Sequence, residues 1–554
     1  MPVIRIMKWD LERLVGRKFS TEEILDLLPR VKCEIELIEK DIIEYEATHD
    51  RPDLYSVEGL ARSIRYLLRL PVQPIEFIDE GYKAYSEEIP QRPYAAFGIV
   101  RDLDLDDEAV KQIMQLQEKL ATTYGRRRRK ASIGVYDLDK IKLPVYYELR
   151  DPDNTRFVPL DETREMSLRE ILEKTEKGRE YGWIIREWPK YPVLRDSENR
   201  ILSLVPIINS EETRVTEETT SVLIDSTGTD ASTVIDMVTI MATSIAERSK
   251  SRRVYIVETI IPNGTSIRAP REKGPVIKAL LNNINKLLGL NLSMETAIEL
   301  LHRMGFEKIS TKGDELIVEI PPYRIDVKNW VDLAEDIAMA YGYDRLGVEA
   351  IELPPATHPG RIHPLEYLSR VFRKILVEYG FIEVANYMMS NPFIQAELFG
   401  SSSEIVTVQN PKMEKYTGLR IWLTPGLLEV IARNQERERE IRIFEIGDVV
   451  IPDKEYETGA RSERRVGIAI SHDKATLTDG LAITSVIIEA IGKKPVYEKT
   501  EIPGLLKERT AEIIVDNEKI GFVGEIHPRI LKRLGIEKPV VVSEITLNKL
   551  LDVV

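Results

Sequence analysis

The sequence predicts an α+β protein of several domains. Its 554 residues exceed the length of one ordinary domain, and 43% of them are hydrophobic, which is enough for several cores. Strand-like runs alternate with runs of helical period, and breaks rich in Pro and Gly separate four blocks. We expect an N-terminal α/β domain followed by three further domains, with bounds at residues 1–85, 86–265, 270–350 and 355–554.

Composition narrows the class of protein. The net charge of -14 argues against a general nucleic-acid coat, since contacts to phosphate come from Lys and Arg. The single cysteine, Cys33, excludes an intrachain disulfide and a multi-cysteine zinc site. No run approaches the ~20 apolar residues that a membrane helix needs, and charge interrupts the start too early for a secretory signal. We expect a cytoplasmic protein without membrane association.

The first block mixes short strands with two helices. FSTEEILDLLPR begins with a capping box, in which Glu23 stands three residues after Ser20. The second helix follows the segment ATHDRPDLYS, and its apolar residues share one face. These residues are Val57, Leu60, Ile64, Leu67 and Leu68.

The second block holds a candidate pocket. The buried strand VPII ends at Asn209 and Ser210, and the next strand ends at Asp225. Small hydroxyl residues and a Gly then precede a long helix that starts near Ala231. Backbone amides at such a helix start favour an anion or a developing oxyanion. For any single residue, such as Asp230, the pattern favours helix capping over a role in the pocket. The two polar strand ends that face one helix start are what favour a functional site.

The third block is a small helical domain that ends in an acidic helix. The segment PPYRIDVKNWVDLAEDIAMAYGYDRL keeps helical period from about Lys328 to Tyr341. Four carboxylates lie within it, and oxygen-only clusters of this kind suit Mg²⁺ or Ca²⁺. The alternative is that acidic residues in a first turn merely offset the helix macrodipole. The helix pair before it also occurs in winged-helix DNA binders, a function that the acidic face disfavours.

The fourth block contains several strands in succession with few crossovers, which suggests an antiparallel sheet with flanking helices. It includes TGLRIWLTPGLLEVIARNQ, IRIFEIGDVV and VGEIHPRIL. The tetrapeptide Lys412–Lys415 is similar to a nucleotide-binding loop of class I synthetases. The companion histidine motif is absent, so we interpret it as a surface loop.

These motifs, taken in order, resemble the beta subunits of phenylalanyl-tRNA synthetase of the archaeal and eukaryotic type. The closest matches are DRPDLYSVEGLAR, YGRRRRKASIGVYDLDKI and the acidic segment. The resemblance implies four domains: N-terminal, tRNA-editing, winged-helix-like with an associated metal, and class II synthetase-like. It implies that Mg²⁺ is held at the boundary with the alpha subunit, by Asp326, Asp332, Glu335 and Asp336.

The last domain lacks the features of an active class II site. A Gly-rich strand–helix element that ends in an ATP-binding Arg is missing, and Arg420 is followed by Ile421 and Trp422 instead of the usual pattern. The resemblance therefore implies that ATP is used on the alpha subunit. It also implies an assembly of two alpha and two beta chains that binds the phenylalanine tRNA and no DNA.

The same resemblance implies that the second block hydrolyses mischarged tyrosyl-tRNA. No Cys or His stands in the pocket segments, which favours a positioned water over a covalent nucleophile. We expect Asn209, Ser210, Asp225 and Thr227 to surround the substrate and the water. Leu202 and Asp230 are expected to bind the substrate. The cationic run is expected to steer the tRNA, although a solvated loop tip is the alternative. It comprises Arg126, Arg127, Arg128, Arg129 and Lys130.

An alternative function is a stand-alone aminoacyl-tRNA deacylase or an RNA-binding scaffold. Such a protein would need neither the last 190 or so residues nor the acidic motif. Copurification with an alpha subunit distinguishes this alternative from a ligase beta subunit.

Overall fold

The computed structural model is a mixed α+β protein, and it describes residues 1–262, 264–347, 360 and 362–551. It divides into two compact units, Met1–Glu352 and Leu353–Val554. The predicted break at residues 350–355 lies outside the described residues. Within the described ranges, no helix is long and apolar enough to cross a membrane.

The first block of the first unit is a three-stranded antiparallel sheet, in the order β1-β3-β2, with three helices. The predicted capping box is present, since Ser20 Oγ accepts from the Glu23 amide at 3.2 Å and Glu23 accepts from the Ser20 amide. The elements are β1 (Val3–Met7), α1 (Lys8–Val15), α2 (Thr21–Leu27), β2 (Cys33–Glu39), β3 (Ile42–Ala47) and α3 (Val57–Leu67).

The second block is built on a large mixed sheet with helices on its face. Its first strand begins at Glu76, inside the range predicted for the N-terminal domain. The elements are β4 (Glu76–Ser86), β5 (Tyr94–Val100), α4 (Asp107–Thr122), β6 (Ala131–Asp137), β7 (Val145–Arg150), β8 (Arg156–Phe157), β9 (Met166–Ser167), α5 (Leu168–Lys174), α6 (Glu176–Tyr181), β10 (Tyr191–Arg195), β11 (Ile201–Leu204), β12 (Ile208–Asn209), β13 (Val222–Gly228), α7 (Ala231–Ile245), β14 (Arg253–Ile260) and β15 (Ser266–Ala269).

The strand order of this sheet is β12-β11-β10-β7-β4-β14-β5-β13-β6, with β15 paired to β14. Strand β13 runs antiparallel to both of its neighbours, β5 and β6, and all seven of its residues are buried. The helix α7 begins three residues after β13, at the residue where the sequence predicts its start. A polar side chain on β13 therefore lies inside the domain.

The third block is less helical than predicted. It combines a three-stranded antiparallel sheet, in the order β16-β18-β17, with three helices. Gly289 ends the first helix with a φ of 66°, as the predicted division between two helices requires. The elements are β16 (Val276–Leu280), α8 (Leu281–Leu288), α9 (Met294–Arg303), β17 (Ile309–Lys312), β18 (Glu315–Glu319) and α10 (Trp330–Tyr341).

One apolar core runs through all three blocks of the first unit. It includes Leu60 of α3, Met241 of α7 and Ile337 of α10, each of them fully buried. Buried ion pairs add to it, among them Arg248 of the second block with Asp10 and Glu58 of the first, both at 2.7 Å.

The second unit is a seven-stranded sheet with flanking helices, as predicted. Its order is β19-β22-β23-β27-β26-β25-β24, antiparallel except for the β19–β22 pair. The elements are α11 (Pro364–Glu378), β19 (Ile382–Glu383), β20 (Met389–Ser390), α12 (Pro392–Gln395), β21 (Gly418–Leu419), α13 (Thr424–Asn434), β22 (Ile441–Pro452), β23 (Ala460–Ser471), α14 (Leu477–Glu489), β24 (Val496–Lys499), β25 (Leu505–Val515), β26 (Glu518–Ile526), α15 (Pro528–Leu534), β27 (Val540–Thr546) and α16 (Leu547–Leu551).

Candidate active site

A buried carboxylate lies within the large sheet. Asp225 is in the middle of β13, and only 3% of it is exposed. Its cross-strand partner on β6 is Gly134. A Cβ at Gly134 would lie 2.4 Å from Asp225 Oδ1 and 2.6 Å from Tyr136 Oη. The missing side chain of Gly134 is therefore what makes room for the carboxylate and the phenol.

Hydrogen bonds from β6 hold this carboxylate in place. Tyr136 Oη donates to Asp225 Oδ1 at 2.7 Å and lies 3.0 Å from Ser203 Oγ on β11. Burial raises the pKa of Asp225 to about 7, although the Tyr136 hydrogen bond and the charge of Arg92 act in the opposite direction. A carboxyl with that pKa exchanges protons with water near neutral pH, as a general base must.

A cavity of about 400 Å³ opens beside Asp225. Such a volume is within the range of roughly 300–1,000 Å³ that small-molecule pockets occupy. The wall mixes apolar side chains, such as Val135 and Ile207, with hydroxyl, amide and charged groups. This cavity therefore has both the apolar surface and the convergent polar groups of a binding site.

Three of the six predicted pocket residues line this cavity: Asn209, Ser210 and Asp225. Asn209 Nδ2 donates to the carbonyl of Val135 at 3.3 Å, which fixes the amide at the wall. Ser210 is almost wholly buried, and its hydroxyl donates to the carbonyl of Val158 at 3.4 Å. The Ser210 hydroxyl is thus already engaged with the backbone.

The other three predicted residues are not among those that line this cavity. Leu202 is fully buried in an apolar cluster that also contains Tyr136. Thr227 is fully buried, and its hydroxyl accepts a hydrogen bond from Arg92 Nε at 2.9 Å. Asp230 caps α7 by accepting from the Thr233 amide at 2.9 Å, the alternative that capping statistics favour.

Sequence reasoning missed the residues that hold the carboxylate. Gly134 and Tyr136 are two residues apart on β6 and so share a face of the sheet. That spacing was visible in ASIGVYD, but the register that brings β6 beside β13 was not. Arg92, in the loop before β5, carried no local signal at all.

The cationic run does not form one exposed patch. Arg126, Arg127 and Arg129 are exposed, whereas Arg128 is buried. Arg128 Nη1 donates to the carbonyl of Ile207 at 2.8 Å, and its guanidinium carbon lies 4.1 Å from the centre of the Tyr181 ring.

Lys130 lies 3.6 Å from Asp230, the cap of α7, and is only partly exposed. Three of the five predicted tRNA-contacting cations are therefore exposed to solvent.

Two of the four acidic residues in the third block share one arginine. Arg324 is buried and pairs with Asp326 at 2.8 Å and with Asp336 at 2.7 Å. Burial acts to raise the pKa of Asp326, but the charge and hydrogen bonds of Arg324 hold it below its usual range. Burial raises the pKa of Asp336 despite the same arginine. Oδ1 of Asp336 is buried and has no hydrogen-bond partner among the residues that the structure describes.

The remaining two acidic residues are engaged elsewhere. Asp332 forms the capping box of α10 and accepts from the amides of Lys328 and Asn329, both at 2.7 Å. Glu335 pairs with Lys32 of the first block at 2.9 Å. Across the described part of the chain, no three His, Cys, Asp or Glu side chains are grouped to hold a metal. The donor type of these four residues, a carboxylate oxygen, fits a hard cation.

The arginine that follows β21 in the second unit also has protein partners. Arg420 is 6% exposed, forms a close ion pair with Glu445, and donates from Nε to the carbonyl of Asp448 at 2.8 Å. Gly447 packs against it so closely that a Cβ would clash with the guanidinium. These contacts hold the Arg420 guanidinium within the second unit.

Family models match the chain in three consecutive regions. The descriptions are "B3/4 domain" for residues 110–255, "tRNA synthetase B5 domain" for residues 277–343, and "Phenylalanyl tRNA synthetase beta chain CLM domain" for residues 334–547. The cavity beside Asp225 lies in the first of these regions, and the acidic helix lies in the second.

Similar proteins cover nearly the full length. The phenylalanine–tRNA ligase beta subunit of Thermofilum pendens is 41% identical, over 99% of this chain and 98% of its own. The phenylalanine–tRNA ligase beta subunit of Pyrococcus furiosus is 38% identical, and the match covers 99% of this chain and 100% of the Pyrococcus furiosus chain. A crystal structure of an N-terminal fragment of the Pyrococcus horikoshii phenylalanyl-tRNA synthetase beta subunit has a TM-score of 0.59 at 39% identity. It covers 62% of this chain and 100% of its own.

Proposed function

Because the chain belongs to the family of phenylalanine–tRNA ligase beta subunits, we propose that its cavity beside Asp225 hydrolyses mischarged tyrosyl-tRNA. The chain acts in the phenylalanylation of tRNA as one subunit of a class II ligase. The observation that supports the hydrolytic role is a buried carboxylate at the wall of a cavity within the B3/4 region. Ester hydrolysis needs a base at that kind of position.

A second site makes physical sense for this ligase. A synthetic pocket shaped for phenylalanine is hydrophobic, and such a pocket rejects an added hydroxyl by only about a hundredfold. Tyrosine is therefore attached to the tRNA at a measurable rate. A cavity with polar groups beside apolar ones accepts the phenol and allows the wrong ester to be removed.

In this proposal Asp225 acts as general base on a water that attacks the ester carbonyl. The carboxylate takes a proton from the water as the water oxygen bonds to the carbonyl carbon. The ribose oxygen then leaves with the electron pair of the broken C–O bond and takes that proton back from the Asp225 carboxyl. Tyr136 holds the carboxylate by its 2.7 Å hydrogen bond, and Asn209 offers an amide at the wall. The stretch of residues 86–265 contains no Cys or His, which favours water over a covalent nucleophile.

The test uses the ligase assembled from both subunits and phenylalanine tRNA charged with tyrosine. Asp225→Ala should slow deacylation by about a hundredfold or more, as loss of a general base does, with phenylalanylation unchanged. Asp230→Asn is the matched control, because Asp230 caps a helix outside the cavity and Asn is an equally good cap. Normal deacylation by Asp225→Ala would show that the site lies elsewhere.

The exposed cations near the cavity form a second part of the proposal. Arg126, Arg127 and Arg129 extend into solvent from the turn between α4 and β6, and they would attract the tRNA acceptor end. Changing these three residues to Glu should weaken tRNA binding and flatten its dependence on salt. Arg128→Glu should instead damage folding, because that side chain is buried. Unchanged affinity and salt slope in the triple variant would refute the steering role.

We also propose that the acidic helix contributes to a Mg²⁺ site that the alpha subunit completes. The unpartnered Oδ1 of Asp336 and the half-exposed Glu335 supply oxygen donors, the type that Mg²⁺ prefers. Added Mg²⁺ should strengthen assembly with the alpha subunit, and Glu335→Gln should remove that effect. Glu34→Gln, at an exposed position on β2, serves as control. An identical Mg²⁺ response in both variants would exclude the site.

The second unit offers a surface for the alpha subunit. Large apolar side chains are exposed between residues 367 and 393, among them Tyr367, Ile382 and Tyr387 at 59%, 68% and 77%. Exposed apolar surface of this extent is typical of a protein interface. We propose an assembly of two alpha and two beta chains, with ATP bound by the alpha chains. Ile382→Glu should reduce the assembled mass, and an unchanged mass would place the interface elsewhere.

A further inference from the structure

A single buried arginine joins three segments around the hydrolytic cavity. Arg92 lies in the loop before β5, is 1% exposed, and has no carboxylate within hydrogen-bond distance among the described residues. Its five hydrogen bonds all go to neutral oxygens. These are Thr227 Oγ1 at 2.9 Å, Thr227 O at 2.5 Å, Ser132 Oγ at 2.8 Å, Arg128 O at 3.1 Å and Arg129 O at 3.4 Å.

These contacts link the strand of the carboxylate to the cationic turn. Thr227 is two residues beyond Asp225 on β13, and Ser132 is its cross-strand partner on β6. The carbonyls of Arg128 and Arg129 belong to the turn that displays the exposed cations. One guanidinium thus sets the distance between the turn and the strand.

The turn depends on such contacts, because its backbone is unfavourable. Arg126, Arg127 and Arg128 have φ values of 51°, 53° and 63°, in the left-handed region that residues with a Cβ disfavour. Its other side is fixed by the Arg128 guanidinium, which donates to the carbonyls of Pro206 and Ile207 in the cavity wall. A backbone of this kind persists only where its surroundings determine it.

We propose that Arg92 is a positioning residue of the hydrolytic site, which holds the cationic turn and the Asp225 strand in one fixed geometry. This inference rests on the proposed editing function. A tRNA bound at the exposed cations then presents its ester to the cavity at the correct distance from the carboxylate. Burying a guanidinium without a counter-ion costs desolvation free energy. When all its hydrogen bonds are formed, it also fixes one arrangement of the segments that it contacts.

Arg92 has a second effect through its charge. The groups that lower the pKa of Asp225 against the effect of burial are the Tyr136 hydroxyl, the amide of Gly134 and the charge of Arg92. The carboxylate in turn raises the pKa of Tyr147 on β7. Among these, Arg92 is the one positive charge. Its removal raises the pKa of Asp225 and moves the acid limb of the deacylation profile to higher pH.

The test compares Arg92→Lys and Arg92→Met in the assembled ligase, with deacylation of tyrosyl-tRNA followed from pH 5 to 9. Both variants should lose deacylation rate by about tenfold to a hundredfold, since small misplacements cost that much. Only Arg92→Met should shift the acid limb upward, because Lys keeps the charge. Phenylalanylation should be unchanged in both and reports that the ligase is folded.

Arg101→Met is the matched control. Arg101 follows β5, donates to Tyr82 Oη at 2.7 Å and packs on Tyr82 and Tyr255, with no contact to the turn. Its deacylation rate and pH profile should equal those of the wild type. If Arg92→Met does not fold, Thr227→Val removes one acceptor of Arg92 and should lower the rate without moving the acid limb.

The outcomes separate this inference from the proposed function. Wild-type ligase that fails to deacylate, or Asp225→Ala that deacylates normally, would remove the proposed function itself. Active wild type together with Arg92→Met of equal rate and equal pH profile would remove only the positioning role. An equal loss in Arg101→Met would show that general loosening of the domain is the cause.

Discussion

Replacing Asp225 by Asn should stabilise the protein while it abolishes hydrolysis. The amide has nearly the shape of the carboxyl, and its oxygen still accepts from Tyr136. The folded state raises the pKa of Asp225 from its usual 3.8 to about 7, so the folded chain holds the proton more tightly than the unfolded chain. Stability therefore falls as the pH rises from about 4 to about 7. Above that range the buried carboxylate is charged, and its full cost is present.

The magnitude follows from this shift. About three pKa units at ~1.4 kcal/mol each give a destabilisation on the order of 4 kcal/mol above neutral pH. Asn carries no charge and avoids this cost. The gain from Asp225→Asn should be close to zero at pH 4 and should reach its maximum by pH 8.

The assay is urea unfolding of the chain at pH 4, 6 and 8, followed by fluorescence, with deacylation measured in parallel. Asp230→Asn gives a control of opposite sign, because hydrogen bonds from Thr233 lower the pKa of Asp230. That variant should lose a little stability above pH 4. A gain in Asp225→Asn that is equal at pH 4 and pH 8 would refute the reasoning, since it could not come from ionisation.

Three further substitutions test other parts of the structure. Tyr136→Phe removes the 2.7 Å hydrogen bond to the buried carboxylate and should slow deacylation by about tenfold to a hundredfold, while phenylalanylation stays unchanged. Arg324→Met leaves two buried carboxylates unpaired and should destabilise the first unit by about 3–5 kcal/mol in urea unfolding. Arg420→Met leaves the buried carboxylate of Glu445 without its ion-pair partner and should lower the unfolding midpoint of the second unit. The KM for ATP should not change, and a raised KM would mean that Arg420 contacts the nucleotide.

Local patterns in the sequence predicted the elements well. The capping box at Ser20, the start of α7 at Ala231 and the helix end at Gly289 all depend on residues within a few positions of each other. The antiparallel sheet of the second unit followed from strands in close succession. Membership of the family also follows from the sequence, since its motifs occur in order along the chain.

The site was predicted only in part, because its geometry depends on strand pairing. Asp225 was found from its place at a strand, but the residues that hold it come from β6 and from the loop before β5. Thr227 was predicted to surround the substrate together with Asp225, yet its hydroxyl accepts from Arg92 and it does not line the cavity. The ion-pair partners of the acidic helix could not be predicted either. The spacing of the carboxylates does not reveal that Asp336 pairs with Arg324 or that Glu335 pairs with Lys32.

The continuous apolar interior of the first unit has a consequence for engineering. An excised hydrolytic block of residues 86–265 would lose β4 from the middle of its sheet and would leave the faces of α7 that meet α3 bare to water. Such a fragment would aggregate before it could be assayed. We therefore expect a transplant into another enzyme to need the whole compact unit Met1–Glu352. We expect that the second block cannot be separated from the first and third blocks without loss of its fold.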